Sequence, residues 1–359
     1  MVSLLTSFIV SFTTTYLIIR FQHLHGRFST DFDLSGPQKF HTKLVPRIGG
    51  ISIATALLTA TIVNILRPTT SLAGEISFLV CAIPVFSVGL LEDTTKNISV
   101  RSRFTVAAIS AALFAYLVQA QITRFDILHL DLIFNIPYFG IAMTIFAVTG
   151  LANAYNIIDG FNGLASMVGI LTLLAIAYIS LIMGDPLTLN LSLTMVAAIL
   201  GFFVWNYPLG LIFLGDGGAY LIGFWIATLS ILVTYRHQEI SPWFAILING
   251  YPIVETVFSI YRRKIHQGKS PGQPDGMHFH SLIFRRTQIV SKSNSNWLTA
   301  NSKTAPYLWI LSGLSIAPAV LWWNSTILLI TSFILFFIFY IWMYGRIVKF
   351  RAPKWFRIY

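Results

Sequence analysis

Long apolar runs alternate with short polar segments along most of the chain. Each run is close to the roughly 20 residues that an α-helix needs to cross a bilayer. The eleven runs fall near 1–19, 49–66, 76–91, 104–120, 136–152, 163–183, 187–205, 218–234, 242–260, 306–322 and 325–345. The pattern predicts an all-α, polytopic membrane protein of about eleven transmembrane helices.

The composition agrees with this class. Hydrophobic residues make up 55% of the 359 residues and charged residues only 10%, whereas a soluble domain carries roughly 25% charged residues. Cys81 is the only cysteine, so an intrachain disulfide and a cysteine-rich metal site are excluded. We interpret residues 1–359 as a single integral membrane domain.

The basic residues favour one orientation. With the first run as an anchor whose N-terminus is periplasmic, the cytoplasmic segments are 20–48, 92–103, 153–162, 206–217, 261–305 and the tail 346–359. These segments hold 21 of the 24 Lys and Arg residues, as the positive-inside rule predicts. We therefore expect these loops and the C-terminus to be cytoplasmic. The net charge of +11 then reflects loops that face anionic lipid, and no nucleic-acid partner is expected.

Five polar segments coincide with the predicted cytoplasmic helix ends. They are KFHTKLVPRIGG at 39–50, GLLEDTTKNISVRSR at 89–103, NAYNIIDGFNGL at 153–164, FLGDGG at 213–218 and DGMHFHSLIFRR at 275–286. A transporter more often places such groups near the bilayer midplane. A reaction between a water-soluble donor and a lipid headgroup would place them at the interface.

Four carboxylates belong to these segments: Glu92, Asp93, Asp159 and Asp216. Ionisable groups at membrane helix ends are costly to desolvate and suggest function, although solvated helix-end charges are the alternative. Mg²⁺ prefers one or two carboxylates together with phosphate oxygens and water. The set therefore predicts metal-assisted phosphoryl transfer.

The asparagine and histidine segments offer candidate binding residues. Asn153, Asn156 and Asp159 recur every three residues and would form one polar stripe on a helix, although the same residue types are typical of an ordinary loop. His278 and His280 lie in a basic loop. Zinc would need further ligands that the loop does not offer, so a phosphate- or uridine-binding loop is favoured.

Basic residues near these segments have two interpretations. Lys39, His41 and Arg47 precede the second run, and Arg285 follows the histidines. Each could bind phosphate or could anchor its loop to anionic lipid. Neither a GxxxxGK[ST] loop nor a GxGxxG motif is present, so the energy for transfer must come from the donor itself, as with a nucleotide diphosphate sugar.

Together these segments resemble the polyprenyl-phosphate N-acetylhexosamine-1-phosphate transferase superfamily, glycosyltransferase family 4. This superfamily includes the phospho-MurNAc-pentapeptide translocase and enzymes that initiate O-antigen, enterobacterial common antigen and teichoic acid synthesis. The resemblance rests on PRIGG, an acidic pair, NxxNxxDGxxGL, FLGDGG and HxH in this order, between about Lys39 and Arg286.

The resemblance implies roles for the candidate residues. Asp216 matches a Mg²⁺ ligand, and Asp159 with Asn153 and Asn156 matches the segment that binds the nucleotide and the metal diphosphate. Glu92 and Asp93 match an aspartate pair that activates the polyprenyl phosphate or organises the metal. The other matches are a donor-binding loop at His278 and His280, and a candidate phosphate site at Lys39, His41 and Arg47.

Two positions depart from the family pattern. The acidic pair is usually Asp-Asp, so Asp93 is the stronger catalytic candidate than Glu92. Ser281 replaces the last histidine of an HxHH loop, which disfavours a MurNAc-pentapeptide donor and favours the relatives that initiate surface polysaccharides.

The expected activity is therefore transfer of N-acetylhexosamine-1-phosphate from a UDP-sugar to undecaprenyl phosphate at the cytoplasmic face, with release of UMP. Mg²⁺ is the expected cofactor, with Mn²⁺ as a substitute, and a homodimer is compatible with the resemblance. The rival is a transporter of lipid-linked sugars. It would need charged residues inside the spans, where the predicted boundaries place only Glu255.

Overall fold

A computed structural model describes residues 1–30, 45–66, 72–266, 268, 275–290 and 297–349. Within these ranges the regular structure is helical, and one isolated bridge joins Thr30 to Pro46. The all-α prediction is confirmed. Lys39 and His41 lie outside the described residues.

The chain forms fourteen α-helices over these ranges. They are α1 (Val2–Arg20), α2 (Gln22–Ser29), α3 (Gly50–Leu66), α4 (Leu72–Thr95), α5 (Val100–Leu117), α6 (Phe139–Ile158), α7 (Leu164–Ile182), α8 (Pro186–Asn206), α9 (Gly215–Arg236), α10 (Pro242–Ile248), α11 (Gly250–Tyr261), α12 (Phe279–Val290), α13 (Trp297–Leu321) and α14 (Thr326–Val348). A 3₁₀ turn, Asp131–Asn135, precedes α6, and a π-helical turn, Arg262–His266, follows α11.

Nine of the helices described are long and apolar enough to cross a membrane: α1, α4, α5, α6, α7, α8, α9, α13 and α14. Helix α3, at 17 residues, is shorter. The ninth predicted span is broken into α10 and the helix that follows it, bent by 75°. Buried Asn249 lies at the break and donates to the Ala245 carbonyl at 2.9 Å, which helps to satisfy backbone groups that the missing turn leaves free.

The predicted loops are partly helical. Helix α2 lies inside 20–48 and α12 inside 261–305, whereas both had been predicted as loops. Helix α4 begins at Leu72 instead of 76, so Glu75 also lies inside a membrane-length helix, where it is buried. The prediction that Glu255 is the only acid within a span was therefore wrong, because apolar windows locate helix ends only to within a few residues.

Helix α9 forms the centre of the bundle. All its residues from Gly215 to Val233 are buried, and α3, α4, α6 and α7 pack around it. A helix that is apolar on every side is typical of such a central position. Its N-terminus carries FLGDGG, so the fold places Asp216 where several helix ends meet.

Candidate active site

Backbone hydrogen bonds join two of the polar segments. The amide of Gly49 donates to the Phe213 carbonyl at 3.0 Å, and the amide of Gly50 donates to Leu214 at 2.9 Å. In return, the Phe213 amide donates to Pro46 at 2.8 Å. The PRIGG segment therefore pairs directly with the segment that begins α9.

Glycines allow three helix ends to come this close. A Cβ on Gly50 would lie 2.4 Å from the Gly218 nitrogen, and one on Gly89 would lie 2.6 Å from the Gly217 Cα. Small residues permit such close backbone approach between membrane helices. The glycines thus explain why the start of α3 and the end of α4 contact the start of α9.

Asp93 caps the N-terminus of α9 from the last turn of α4. Its Oδ1 accepts from the Asp216 amide at 2.8 Å, and its Oδ2 accepts from the Gly217 amide at 2.9 Å. A carboxylate at a helix N-terminus satisfies free amides and interacts favourably with the helix dipole. Asp93 is only 3% exposed, so in this structure it positions Asp216. Its predicted catalytic role stays a prediction.

Asp216 lies between two arginines. Arg103, in the first turn of α5, contacts Asp216 Oδ2, and Arg47 Nη2 lies 3.6 Å from Asp216 Oδ1. Among the described residues, the buried Nε of Arg103 has no hydrogen-bond partner. Two guanidinium groups beside one carboxylate form a site that could bind phosphate oxygens and a cation together.

Asp159 follows the last residue of α6 and faces the same cluster. It is half-buried, and burial raises its pKa to about 7, with nearby Arg47 lowering that pKa and Asp216 raising it. These three side chains therefore lie close enough to interact electrostatically, although they come from distant parts of the sequence. A cation bound beside this carboxyl group would favour its charged form and so lower its pKa.

Three further predicted residues lie near the ends of α4 and α6. Asn153 Oδ1 accepts from the Tyr220 hydroxyl at 3.1 Å, and Asn156 lies one turn further along α6, also half-buried. Glu92 Oε2 accepts from the Ile98 amide at 2.8 Å and so holds the α4–α5 connection. Asn153 and Asn156 lie in the last turns of α6, whereas Asp159 follows the helix with a non-helical backbone, so the predicted stripe is helical only up to Asn156.

The histidine loop is held by buried carboxylates. His278 Nδ1 lies 2.9 Å from Glu255 Oε1, and His278 Nε2 lies 3.7 Å from Asp275 Oδ2. Arg262 contacts Asp275, which also accepts from Ser259 at 3.2 Å. Burial raises the pKa of Asp275, but the hydrogen bond from Arg262 and the charge on His278 outweigh burial, so the net pKa is lowered.

His280 connects the histidine loop to the Asp159 segment. Its ring stacks on His278 at 5.2 Å between centroids and meets the edge of Phe161 at 5.5 Å. A Cβ on Gly160 would lie 3.0 Å from His280 Nε2. Burial, and then the charge on His278, lower the pKa of His280 to about 3, so it is neutral. Its buried Nδ1 has no hydrogen-bond partner among the described residues.

Asparagines and a tryptophan hold the turn after Asp159. The amide of Asn162 donates to Asn301 Oδ1 at 2.9 Å, and the amide of Gly163 donates to Asn206 Oδ1 at 2.6 Å. Trp309 Nε1 donates to the Gly163 carbonyl at 3.1 Å. Helix α13, which carries Asn301 and Trp309, therefore contributes to the position of the Asp159 segment.

The structure brings together most of the predicted residues described. Arg47, Glu92, Asp93, Asn153, Asp159 and Asp216 belong to one cluster, and His280 borders it through Gly160. Arg285 is exposed and does not join either group, so its predicted binding role gains no support from contacts.

Sequence reasoning missed several contributors. Arg103 had been counted only as a loop charge, and Tyr220 and Asn301 had not been singled out. Tyr220 follows Asp216 by four residues and so lies on the same helix face, which is a signal that the sequence carries. Asn301 carries no such signal, because its contact with Asn162 depends on how α13 packs.

Replacing Arg103 tests the role of the arginine pair. We expect Arg103→Ala to lower turnover by about 10²-fold, because it removes the guanidinium group that contacts Asp216. Arg101→Ala is the matched control, since Arg101 is an exposed arginine two residues earlier in α5. Initial rates of both purified variants would be compared with wild type, and equal rates for the two variants would contradict this role.

The donor set fits a cation shared with substrate. Among the described residues, no three His, Cys, Asp or Glu side chains converge as a ready-made metal site. Asp216 and Asp159 supply two carboxylates, and Mg²⁺ typically takes one or two carboxylates with the remaining positions filled by phosphate oxygens and water. These two aspartates are therefore the residues that would hold it.

Comparison with known proteins shows which family shares these segments. The profile of glycosyl transferase family 4 matches residues 75–234, a range that includes the acidic pair, Asp159 and Asp216. A probable undecaprenyl-phosphate N-acetylglucosaminyl 1-phosphate transferase of Bacillus subtilis is 28% identical over 321 residues, covering 83% of this chain and 88% of that protein.

Two further relatives carry related names. An undecaprenyl-phosphate alpha-N-acetylglucosaminyl 1-phosphate transferase of Thermotoga maritima is 29% identical, covering 72% of this chain and 74% of its own. Its Escherichia coli (strain K12) counterpart is 31% identical over 256 residues, covering 69% of this chain and 67% of its own. The similarity thus extends well beyond the range that the family profile matches.

Proposed function

The chain belongs to glycosyl transferase family 4, the polyprenyl-phosphate hexosamine-1-phosphate transferases, and from that premise we propose that it transfers N-acetylglucosamine-1-phosphate from UDP-N-acetylglucosamine to undecaprenyl phosphate. The products are undecaprenyl-diphospho-N-acetylglucosamine and UMP. The names of the relatives support the choice of lipid and sugar. The convergence of Asp216 and Asp159 with Arg47 and Arg103 is the observation that carries the proposal.

The proposed reaction is a displacement at phosphorus. A phosphate oxygen of undecaprenyl phosphate attacks the β-phosphorus of the UDP-sugar, and the bond from that phosphorus to the UMP oxygen breaks. Arg47 and Arg103 would bind the phosphate oxygens and orient the two reactants. A two-step route through a phospho-enzyme aspartate remains an alternative, for which Asp93 would first have to release two backbone amides.

Asp216 and Asp159 would hold Mg²⁺, which would offset the negative charge that develops on the diphosphate. Asp159 lies near Asp216 and Arg47, and a cation bound there would favour the charged form of its carboxyl group. Mn²⁺ would substitute, since it also prefers oxygen ligands. Asp93, by capping α9, keeps Asp216 in place whether or not a cation is bound.

The proposed site lies at the cytoplasmic face of a bacterial plasma membrane. The positive-inside asymmetry of the sequence supports this orientation, and the apolar helices provide a surface for the polyprenyl tail. We further propose a role in initiating surface polysaccharide of the O-antigen or exopolysaccharide type, on the basis of Ser281 in the histidine loop. The homodimer stays a prediction.

Release of UMP by detergent-purified protein tests the proposal. We expect release that requires undecaprenyl phosphate and Mg²⁺, that stops in excess EDTA, and that recovers when Mg²⁺ or Mn²⁺ is restored. A panel of UDP-N-acetylhexosamines identifies the sugar, with UDP-glucose as the control that lacks the acetamido group. Folded protein that releases no UMP with any donor would overturn the proposal, and release unaffected by EDTA would overturn its metal requirement.

A further inference from the structure

Helix α14 reaches the histidine loop through two tyrosines. Tyr340 and Tyr344 are one turn apart on the same face. The Tyr340 hydroxyl donates to Glu255 Oε2 at 2.8 Å, and the Tyr344 hydroxyl donates to the Met277 carbonyl at 2.9 Å. Neither tyrosine lies within the range that the family profile matches, yet both contact the segment on either side of His278.

Glu255 is the centre of this arrangement. Its side chain is almost completely buried and receives three donors. His278 Nδ1 at 2.9 Å and the Phe279 amide at 3.2 Å share Oε1, whereas Tyr340 donates to Oε2. A carboxylate only accepts hydrogen bonds, so Nδ1 of His278 carries a hydrogen. This leaves Nε2 as the ring nitrogen for a ligand.

The hydrogen bond from the Tyr340 hydroxyl fixes the orientation of the Glu255 carboxylate. A buried carboxylate oxygen that loses its donor is costly to leave unsatisfied, so Glu255 would rotate to recover a partner. Because His278 and Phe279 both depend on the other oxygen, rotation would release the imidazole from its present orientation. Second-neighbour contacts of this kind commonly fix the orientation of a binding histidine.

The other described groups around His278 do not replace the hydrogen bond between its Nδ1 and Glu255 Oε1. Asp275 lies 3.7 Å from Nε2 and is itself bound to Arg262. His280 stacks on the ring face and offers no hydrogen bond to Nδ1. The Arg262 guanidinium lies 5.9 Å from the centre of the Tyr344 ring, so Tyr344 packs on the Arg262 side of the loop.

Resting on the proposed function, we infer that Tyr340 is a positioning residue that acts through Glu255 to orient His278 for binding the nucleoside diphosphate sugar. Specific binding of the donor would then depend on α14, in which Tyr340 lies 85 residues after Glu255. Tyr340 itself touches neither reactant in this scheme.

Titration calorimetry of UDP-N-acetylglucosamine with Mg²⁺, and steady-state UMP release, test the inference in the full-length protein. We expect Tyr340→Phe to weaken donor binding and raise the donor KM about 5- to 10-fold, with kcat within about twofold. Ser192→Ala is the matched control, since it removes another fully buried side-chain hydroxyl, bonded to the Thr188 carbonyl at 2.7 Å within α8. It should leave both constants unchanged.

A double-mutant cycle shows whether Tyr340 acts through Glu255. Glu255→Gln should raise the donor Kd about 10- to 30-fold, and the double variant with Tyr340→Phe should match Glu255→Gln alone, because the second change removes nothing further. If the increases in donor Kd of the two single variants instead multiply in the double variant, the inference is overturned. If Tyr340→Phe does not fold, Glu255→Asp, which withdraws the oxygens but keeps the charge, should raise the Kd at least 5-fold, and an unchanged Kd would overturn the inference.

The outcomes separate this inference from the proposed function. Wild-type protein that binds no UDP-sugar and releases no UMP would overturn both. Wild-type protein that is active, with a Tyr340→Phe variant of unchanged Kd and KM, would overturn only the positioning role. A lower melting temperature without a change in Kd would likewise overturn it, since that result is the signature of a merely structural contact.

Discussion

Asp216→Asn is expected to lower UMP release by about 10³-fold or more while leaving the fold intact. The amide is a poor Mg²⁺ ligand, and the change leaves Arg47 and Arg103 without the carboxylate that they share. The fold should survive because Asp93 binds the backbone amides of residues 216 and 217, which the substitution retains. Turnover and the gel-filtration profile of the purified variant are the measurements.

Asp126→Asn is the matched control for this experiment. Asp126 also pairs with an arginine, Arg124, but lies in the connection between α5 and α6, at the end of the bundle away from the cluster. We expect its turnover to stay within about twofold of wild type, because its contacts with Arg124 and Thr326 involve none of the residues of the cluster. Turnover of Asp216→Asn close to that of Asp126→Asn would contradict the assignment of Asp216 as a metal ligand.

Gly215→Ala is expected to destabilise the protein by about 2–4 kcal/mol and to remove most activity. Gly215 has φ +76°, and a Cβ there would lie 2.0 Å from the Arg47 carbonyl oxygen and 2.5 Å from Asp93 Oδ2. Relief of these overlaps must move either PRIGG or the carboxylate that caps α9. Both movements displace Asp216, so stability and turnover should fall together.

Gly184→Ala is a control that separates the cost of backbone strain from the cost of steric overlap by the added Cβ. Gly184 has φ +66°, and a Cβ there meets nothing within 4 Å, so this variant bears only the strain of the left-handed conformation, about 1 kcal/mol. Thermal unfolding in detergent and UMP release would be measured for both variants. Equal losses in the two would show that close packing at Gly215 is not what positions Asp216.

The spans were predictable because hydropathy is a local property. A run such as 218–234 is apolar enough to indicate a membrane helix by itself, and α9 covers it. The break between α10 and α11 was not predicted, since residues 242–260 remain apolar across it. Asn249 and Gly250 at the break are compatible with a continuous helix, and only the packing around them decides the bend.

The candidate site was predictable as a set of segments. Asp159 and Asp216 were found because a charged residue in an apolar chain is costly and therefore conspicuous. The structure adds a capping contact of Asp93 with α9, which could not be predicted, and its catalytic role stays a prediction. A carboxylate that acts on a lipid phosphate and a carboxylate that accepts from two backbone amides can have the same neighbours in sequence, so the sequence does not distinguish the two roles.

The sequence by itself determined the helical membrane class, most span positions and the identity of the polar segments. Only the tertiary structure decided that Asp93 caps α9, that Arg103 reaches Asp216 and that Tyr340 holds Glu255. These contacts join residues 123, 113 and 85 positions apart. Lipid tails are as apolar as a neighbouring helix, so hydrophobic pattern does not identify which helices meet, and close packing of small residues decides it instead.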